Sequence, residues 1–90
     1  MILPEQPVTL TAEQIAALTR ELGTMRHDIN NHLSLVLAAV ELIRVKPELT
    51  ERMVTTVLEQ PARVTQAMQK FSAEFEKAYG IKRAGTGTLM

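Results

Sequence analysis

Two runs of apolar residues, spaced alternately three and four apart and parted by a single Lys46-Pro47 step, constrain this chain more than any other feature. The first run reads Ile15, Leu18, Leu22, Met25, Ile29, Val36, Val40 and Ile43, with one gap between Ile29 and Val36. The second reads Val54, Val57, Pro61, Val64, Met68, Phe71, Phe75 and Ala78 without a gap. This alternation is a heptad seam on a helix and is incompatible with the two-residue period of a strand. Only Gly23 interrupts the first run with a weak helix former.

The signals at the ends agree with two helices. Thr11 stands at an N-cap position, with Gln14 three residues on to complete a capping box. The first helix is predicted from about Thr11 to Val45. The residue before a proline is biased away from helix, and Pro47 suits the first turn of a new one. The second helix is predicted from Pro47 or Glu48 to Tyr79, with Gly80 as its C-terminal stop. Residues 1–10 carry two prolines and no period and are expected to form an extended arm. Residues 81–90 are Gly- and Thr-rich and are expected to be a flexible tail. Residues 11–80 are therefore the folded unit.

The expected fold is all-α, a long antiparallel helical hairpin. Each helix runs for roughly 32–34 residues, about 50 Å at 1.5 Å per residue. Two helices cannot enclose a core, so the hairpin is expected to homodimerise into a four-helix bundle.

Composition narrows the function. The chain has 90 residues and a formal net charge of zero, which leaves no basic excess for nucleic acid. There is no cysteine, so disulfides and thiolate metal sites are excluded. The start "MILPEQPVTLT" has no basic region and only a short apolar run, unlike a signal peptide. The longest nearly apolar run, Leu33 to Val40, falls far short of the ~20 residues of a membrane span. The cytoplasm is the expected location.

One stretch breaks the apolar pattern with chemistry-bearing residues: "MRHDINNHL", Met25 to Leu33. With Leu22 and Ile29 at seam position a and Met25 at d, His27 falls at f, farthest from the seam. Its face carries Arg20, Gly23, Thr24, Asn30, Asn31 and Ser34. Gly23, one turn earlier, presents no side chain and leaves the imidazole accessible. His32 falls at d, in the gap of the first run, and is expected to be a core histidine hydrogen-bonded to a partner. The two histidines face different ways, so one helix cannot chelate a metal through both. No metal site is expected. Ser34 has no evident oxyanion donors to make a hydrolytic triad. By spacing alone, the favoured reading of His27 is a solvated surface histidine.

The residues themselves say more. "HDINNHLSLVLAAVELI" (His27–Ile43) resembles the phosphoacceptor box of two-component sensor histidine kinases, in the variant that reads His-Asp-Phe-Asn-Asn-Leu-Leu. "ARVTQAMQKFS" (Ala62–Ser72) is similar to the segment that closes the same domain, the dimerisation and histidine-phosphotransfer domain. The resemblance covers about residues 15 to 78. It implies a hairpin that dimerises into a four-helix bundle. It also implies that His27 accepts a phosphoryl group as a phosphoramidate, since neutral imidazole is a good nucleophile. Asp28 matches the acidic neighbour that orients the imidazole and takes its proton. Asn31 matches the residue that positions a water in kinases with phosphatase activity. Asn30 matches a polar position of the box without assigned chemistry.

A response regulator is expected to dock near Asn30, Asn31 and Ser34 and the facing part of the second helix, around Arg63, Gln66 and Lys70. The Mg²⁺ for transfer is expected from the regulator, so this chain binds no cofactor of its own.

Two departures from the family pattern bear on function. The box commonly has proline five residues after the phosphohistidine, where this chain has His32; Pro61, in the second helix, lies near the same level. By hairpin symmetry residue ~62 is expected opposite His32, so the bend expected of the first helix has changed helices. The sequence also lacks an Asp-x-Gly-x-Gly element, an asparagine-bearing ATP helix and a Gly-rich lid. It is therefore not expected to be an autonomous kinase. Either it is a free-standing phosphotransfer protein or a piece of a longer kinase, and Met1 and the tail favour the first. The alternative function is a non-catalytic dimeric module that binds or sequesters a response regulator or a kinase.

Overall fold

The computed structural model describes residues 3–80. The expected tail at 81–90, and the first two residues of the expected arm, lie outside the described residues. Residues 3–11 have no helix or strand and lead into α1 (Ala12–Val45). A 3-10 turn, Pro47–Leu49, joins α1 to α2 (Thr50–Tyr79).

Local chemistry places each boundary. The Thr11 hydroxyl accepts from the Gln14 N–H at 3.0 Å, and Gln14 Oε1 accepts from the Thr11 N–H at 2.8 Å. Both halves of the capping box are therefore present. At the other end of α1 the Lys46 N–H donates to the Leu42 carbonyl at 2.7 Å. Pro47 then takes the first position of the 3-10 turn, and the Thr50 hydroxyl donates to its carbonyl at 2.6 Å. The α-helix proper begins at Thr50, a little later than the sequence predicts, because the turn tightens first. Gly80 ends α2 with φ of 69° and donates to the Glu76 and Lys77 carbonyls. An L side chain resists that left-handed conformation, which is why glycine stands there.

The two helices pack against each other as an antiparallel hairpin. The chain is 58 × 30 × 12 Å in extent, and its thinnest dimension is that of one helix layer. There is accordingly almost no core within one chain. Among the described residues only Ala39 and Gln60 are fully buried.

The contact between the helices follows a narrower stripe than the sequence predicts. On α1 it runs through Leu18, Leu22, Met25, Ile29, His32, Val36, Ala39 and Ile43, all at least half-buried. Ala39 replaces the expected Val40, and Ile15 is 52% exposed. On α2 it runs through Met53, Val57, Gln60, Val64, Ala67 and Phe71. The expected seam residues Val54, Pro61, Met68 and Phe75 are exposed. The apolar stripe on each helix is wider than one neighbour can cover. The sister helix takes one edge and leaves the other in the open.

Those leftover edges share one face. Helical rotation of about 100° per residue puts Ile15, Leu33 and Val40 of α1 and Val54, Pro61, Met68 and Phe75 of α2 on the same side of the hairpin. Phe71, Phe75 and Tyr79 form a ladder there near the end of α2, with ring centroids 6.1 and 4.5 Å apart.

Gly23 sits mid-helix in ordinary helical conformation, and a Cβ built there meets nothing within 4 Å. Gly23→Ala is therefore expected to stabilise the fold by about 0.5–1 kcal/mol through backbone entropy alone. Thermal unfolding followed by circular dichroism checks this; a lowered midpoint would refute it.

Candidate functional site

The opposite face carries a polar groove at the level of Asp28, while Leu35 and Leu42 stand exposed further along the same stripe of α1. A cleft of about 200 Å³ opens between α1 and α2, lined by Asp28, His32, Arg63, Gln66, Ala67 and Lys70. The placement follows from spacing. Asp28 and His32 are one turn apart on α1, and Arg63, Gln66, Ala67 and Lys70 form one stripe on α2. Pro61 and Met68 each stand two residues from a lining residue, about 200° around the helix, and so face away. The cleft continues past Thr24, Glu21 and Phe71 as a recess of about 10 Å³.

Of the residues singled out by sequence, the groove brings together Asp28, Arg63, Gln66 and Lys70. His27, Asn30, Asn31 and Ser34 remain on the outer surface of α1, all exposed. His27 lies on the outer surface of α1, about 100° around the helix from Asp28 and outside the groove lining, and its imidazole has no hydrogen-bond partner among the described residues. Asp28 is half-buried and makes no hydrogen bond to His27; its carboxylate shares the groove with the Arg63 and Lys70 cations. Asp28 forms no direct ion pair with a described residue. Among the described residues no three His, Asp or Glu side chains gather into a cluster able to hold a metal.

His32 behaves as a d-position histidine should. Its Nδ1 lies 2.8 Å from Gln60 Oε1 across the seam. Gln60 is 4% exposed and also donates through Nε2 to the Thr56 carbonyl at 2.8 Å. This pair is the side-chain hydrogen bond that joins α1 to α2 among the described residues. It puts Gln60, rather than residue 62, opposite His32. The sequence signal for Gln60 was its place in the seam: it falls three after Val57 and four before Val64, a spacing in which any polar residue must find a partner. His32 and Ala67 also line the groove, which sequence reasoning missed. The signal was available in His32 standing four residues after Asp28.

Pro61 follows Gln60 directly, and α2 continues through it without interruption. Its missing N–H deprives the Val57 carbonyl of its helical donor at the level of the polar pair.

No helix among the described residues is long and apolar enough to cross a membrane. Comparison with known proteins returns no match to a family model, a curated protein or a solved structure.

Proposed function

We propose that this chain is a histidine phosphotransfer domain of two-component signalling, working as a homodimer. Two copies join through the apolar face into a four-helix bundle, which leaves the polar grooves open on the outside. The observation that carries the reading is the position of His27. It is exposed on the outer surface of α1, unhindered by Gly23 a turn earlier, and adjoins Asp28, which lines the cleft with Arg63 and Lys70.

The chemistry is transfer between a receiver aspartate, or a kinase, and His27. A nitrogen lone pair of His27 attacks phosphorus, a P–N bond forms, and the donor's P–O bond breaks. The negative charge spread over the transferring oxygens is met by cations and by the Mg²⁺ of the receiver. Arg63 and Lys70 attract the acidic rim of a receiver and orient it, with Gln66, Asn30, Asn31 and Ser34 completing the contact surface. Asp28 takes or holds a proton at the imidazole when docking brings the two together. Asn31, one turn beyond His27, is placed to position a water against the receiver's phospho-aspartate.

The test is incubation with a panel of phosphorylated receiver domains, followed by assay for acid-labile, base-stable phosphate on the chain. The wild type is expected to take up label and His27→Gln to lose transfer by at least about a hundredfold, since the bond-forming atom is gone. Equal behaviour of the two proteins overturns the role of His27. Binding to a receiver without any label points to a sequestering module instead.

A further inference from the structure

We infer that His32 is a second phosphoryl acceptor, distinct from His27, which takes the group on Nε2 inside the groove. The hydrogen-bond network assigns its tautomer. Gln60 Nε2 is committed to the Thr56 carbonyl, so Gln60 Oε1 is the atom that faces His32, at 2.8 Å from Nδ1. An amide oxygen only accepts, so Nδ1 must carry the proton. In the neutral ring Nε2 then holds the lone pair, and that nitrogen is the nucleophile.

The same ring lines the 200 Å³ groove beside Arg63, Gln66 and Lys70. That open cleft is far larger than the site of a single water and has room for a phosphoryl group. Two cations meet one carboxylate, Asp28, among the lining residues, so the cleft favours an anion. Gln66 adds an amide donor. His27 has neither a fixed tautomer nor a charged pair facing it. The core-held histidine is the better prepared nucleophile, although the outer one is the more exposed.

The step balances without a base. The Nε2 lone pair attacks the phosphorus of a small phosphoryl donor such as phosphoramidate, the donor's P–N bond breaks, and ammonia leaves. The Nδ1 proton stays in place. The phosphorylated ring becomes cationic, and its hydrogen bond to Gln60 Oε1 becomes charge-assisted and stronger. The groove thereby stabilises the product as well as orienting the ring.

The experiment treats the full chain with potassium phosphoramidate and maps phosphohistidine by peptide and by ring isomer. His27→Gln is expected to retain label at His32, as the Nε2 isomer alone. Arg63→Ala and Lys70→Ala are each expected to slow that labelling at least about fivefold. Gln60→Leu, checked for fold by circular dichroism, is expected to lose the isomer selectivity. Label confined to His27 overturns the inference and leaves the proposed function standing. Label at His32 on both nitrogens, indifferent to Arg63 and Lys70, also overturns it, since that is the behaviour of any accessible imidazole. Label at His32 with none at His27 upholds the inference and removes His27 as the acceptor.

Discussion

The double variant Leu33→Glu, Met68→Glu is expected to break the proposed homodimer and, with it, most of the helical structure at micromolar concentration. Both side chains are exposed in the single hairpin, at 56% and 51%. In an isolated hairpin their replacement by glutamate would be nearly neutral or even solubilising. In a bundle each is buried twice by symmetry. Losing about 1.5 kcal/mol per buried apolar side chain removes roughly 6 kcal/mol from the interface, and charge burial adds to that. A loss of this size raises the dissociation constant by about ten-thousandfold.

Unfolding is expected to accompany dissociation because one chain has only Ala39 and Gln60 fully buried among its described residues. Sedimentation with circular dichroism over a dilution series measures both events. The control is Gln66→Glu, on the groove face, which is expected to leave association unchanged. A double variant that keeps the mass and helicity of the wild type would show that the apolar face is not the dimer surface.

The second large effect is expected from Pro61→Ala. An interior proline costs a helix about 3 kcal/mol, partly through the missing hydrogen bond to the carbonyl four residues back. Here that carbonyl belongs to Val57, and α2 runs on through the break. Alanine restores the donor and should raise the unfolding midpoint by about 10 °C or more. The same change is expected to slow phosphoryl transfer. Pro61 adjoins Gln60, so the missing hydrogen bond falls at the level of the His32–Gln60 pair, and replacing the proline is expected to stiffen the layer beside the groove. A stabilised variant that transfers phosphate at the wild-type rate would leave the proline a purely structural role. An unchanged or lower midpoint would mean that neighbouring packing requires the distortion.

The local features were open to sequence reasoning because their causes are local. Thr11 and Gln14 cap each other across one turn, Pro47 forbids continuation of α1, and Gly80 tolerates a positive φ that other residues resist. The outward placement of His27, Asn30, Asn31 and Ser34 followed from the period alone. So did the inward turn of His32.

What spacing could not choose was the edge of the stripe that meets the sister helix. Val40 and Ala39 are neighbours on one turn, and so are Pro61 and Gln60. Either member of each pair fits a three-four alternation. The longer apolar side chain is the natural guess from sequence, and it is the wrong one in both cases. The close approach of the helices favours small Ala39, and the seam accepts polar Gln60 because His32 meets its amide at 2.8 Å.

The sequence by itself therefore determined two helices, their ends, the turn between them and the exposure of His27, since each depends on contacts within a few residues. Only the tertiary structure decided which side chains meet across the hairpin. That pairing depends on the relative register of segments nearly thirty residues apart, and it brought Arg63, Gln66 and Lys70 beside Asp28 and gave His32 its amide partner.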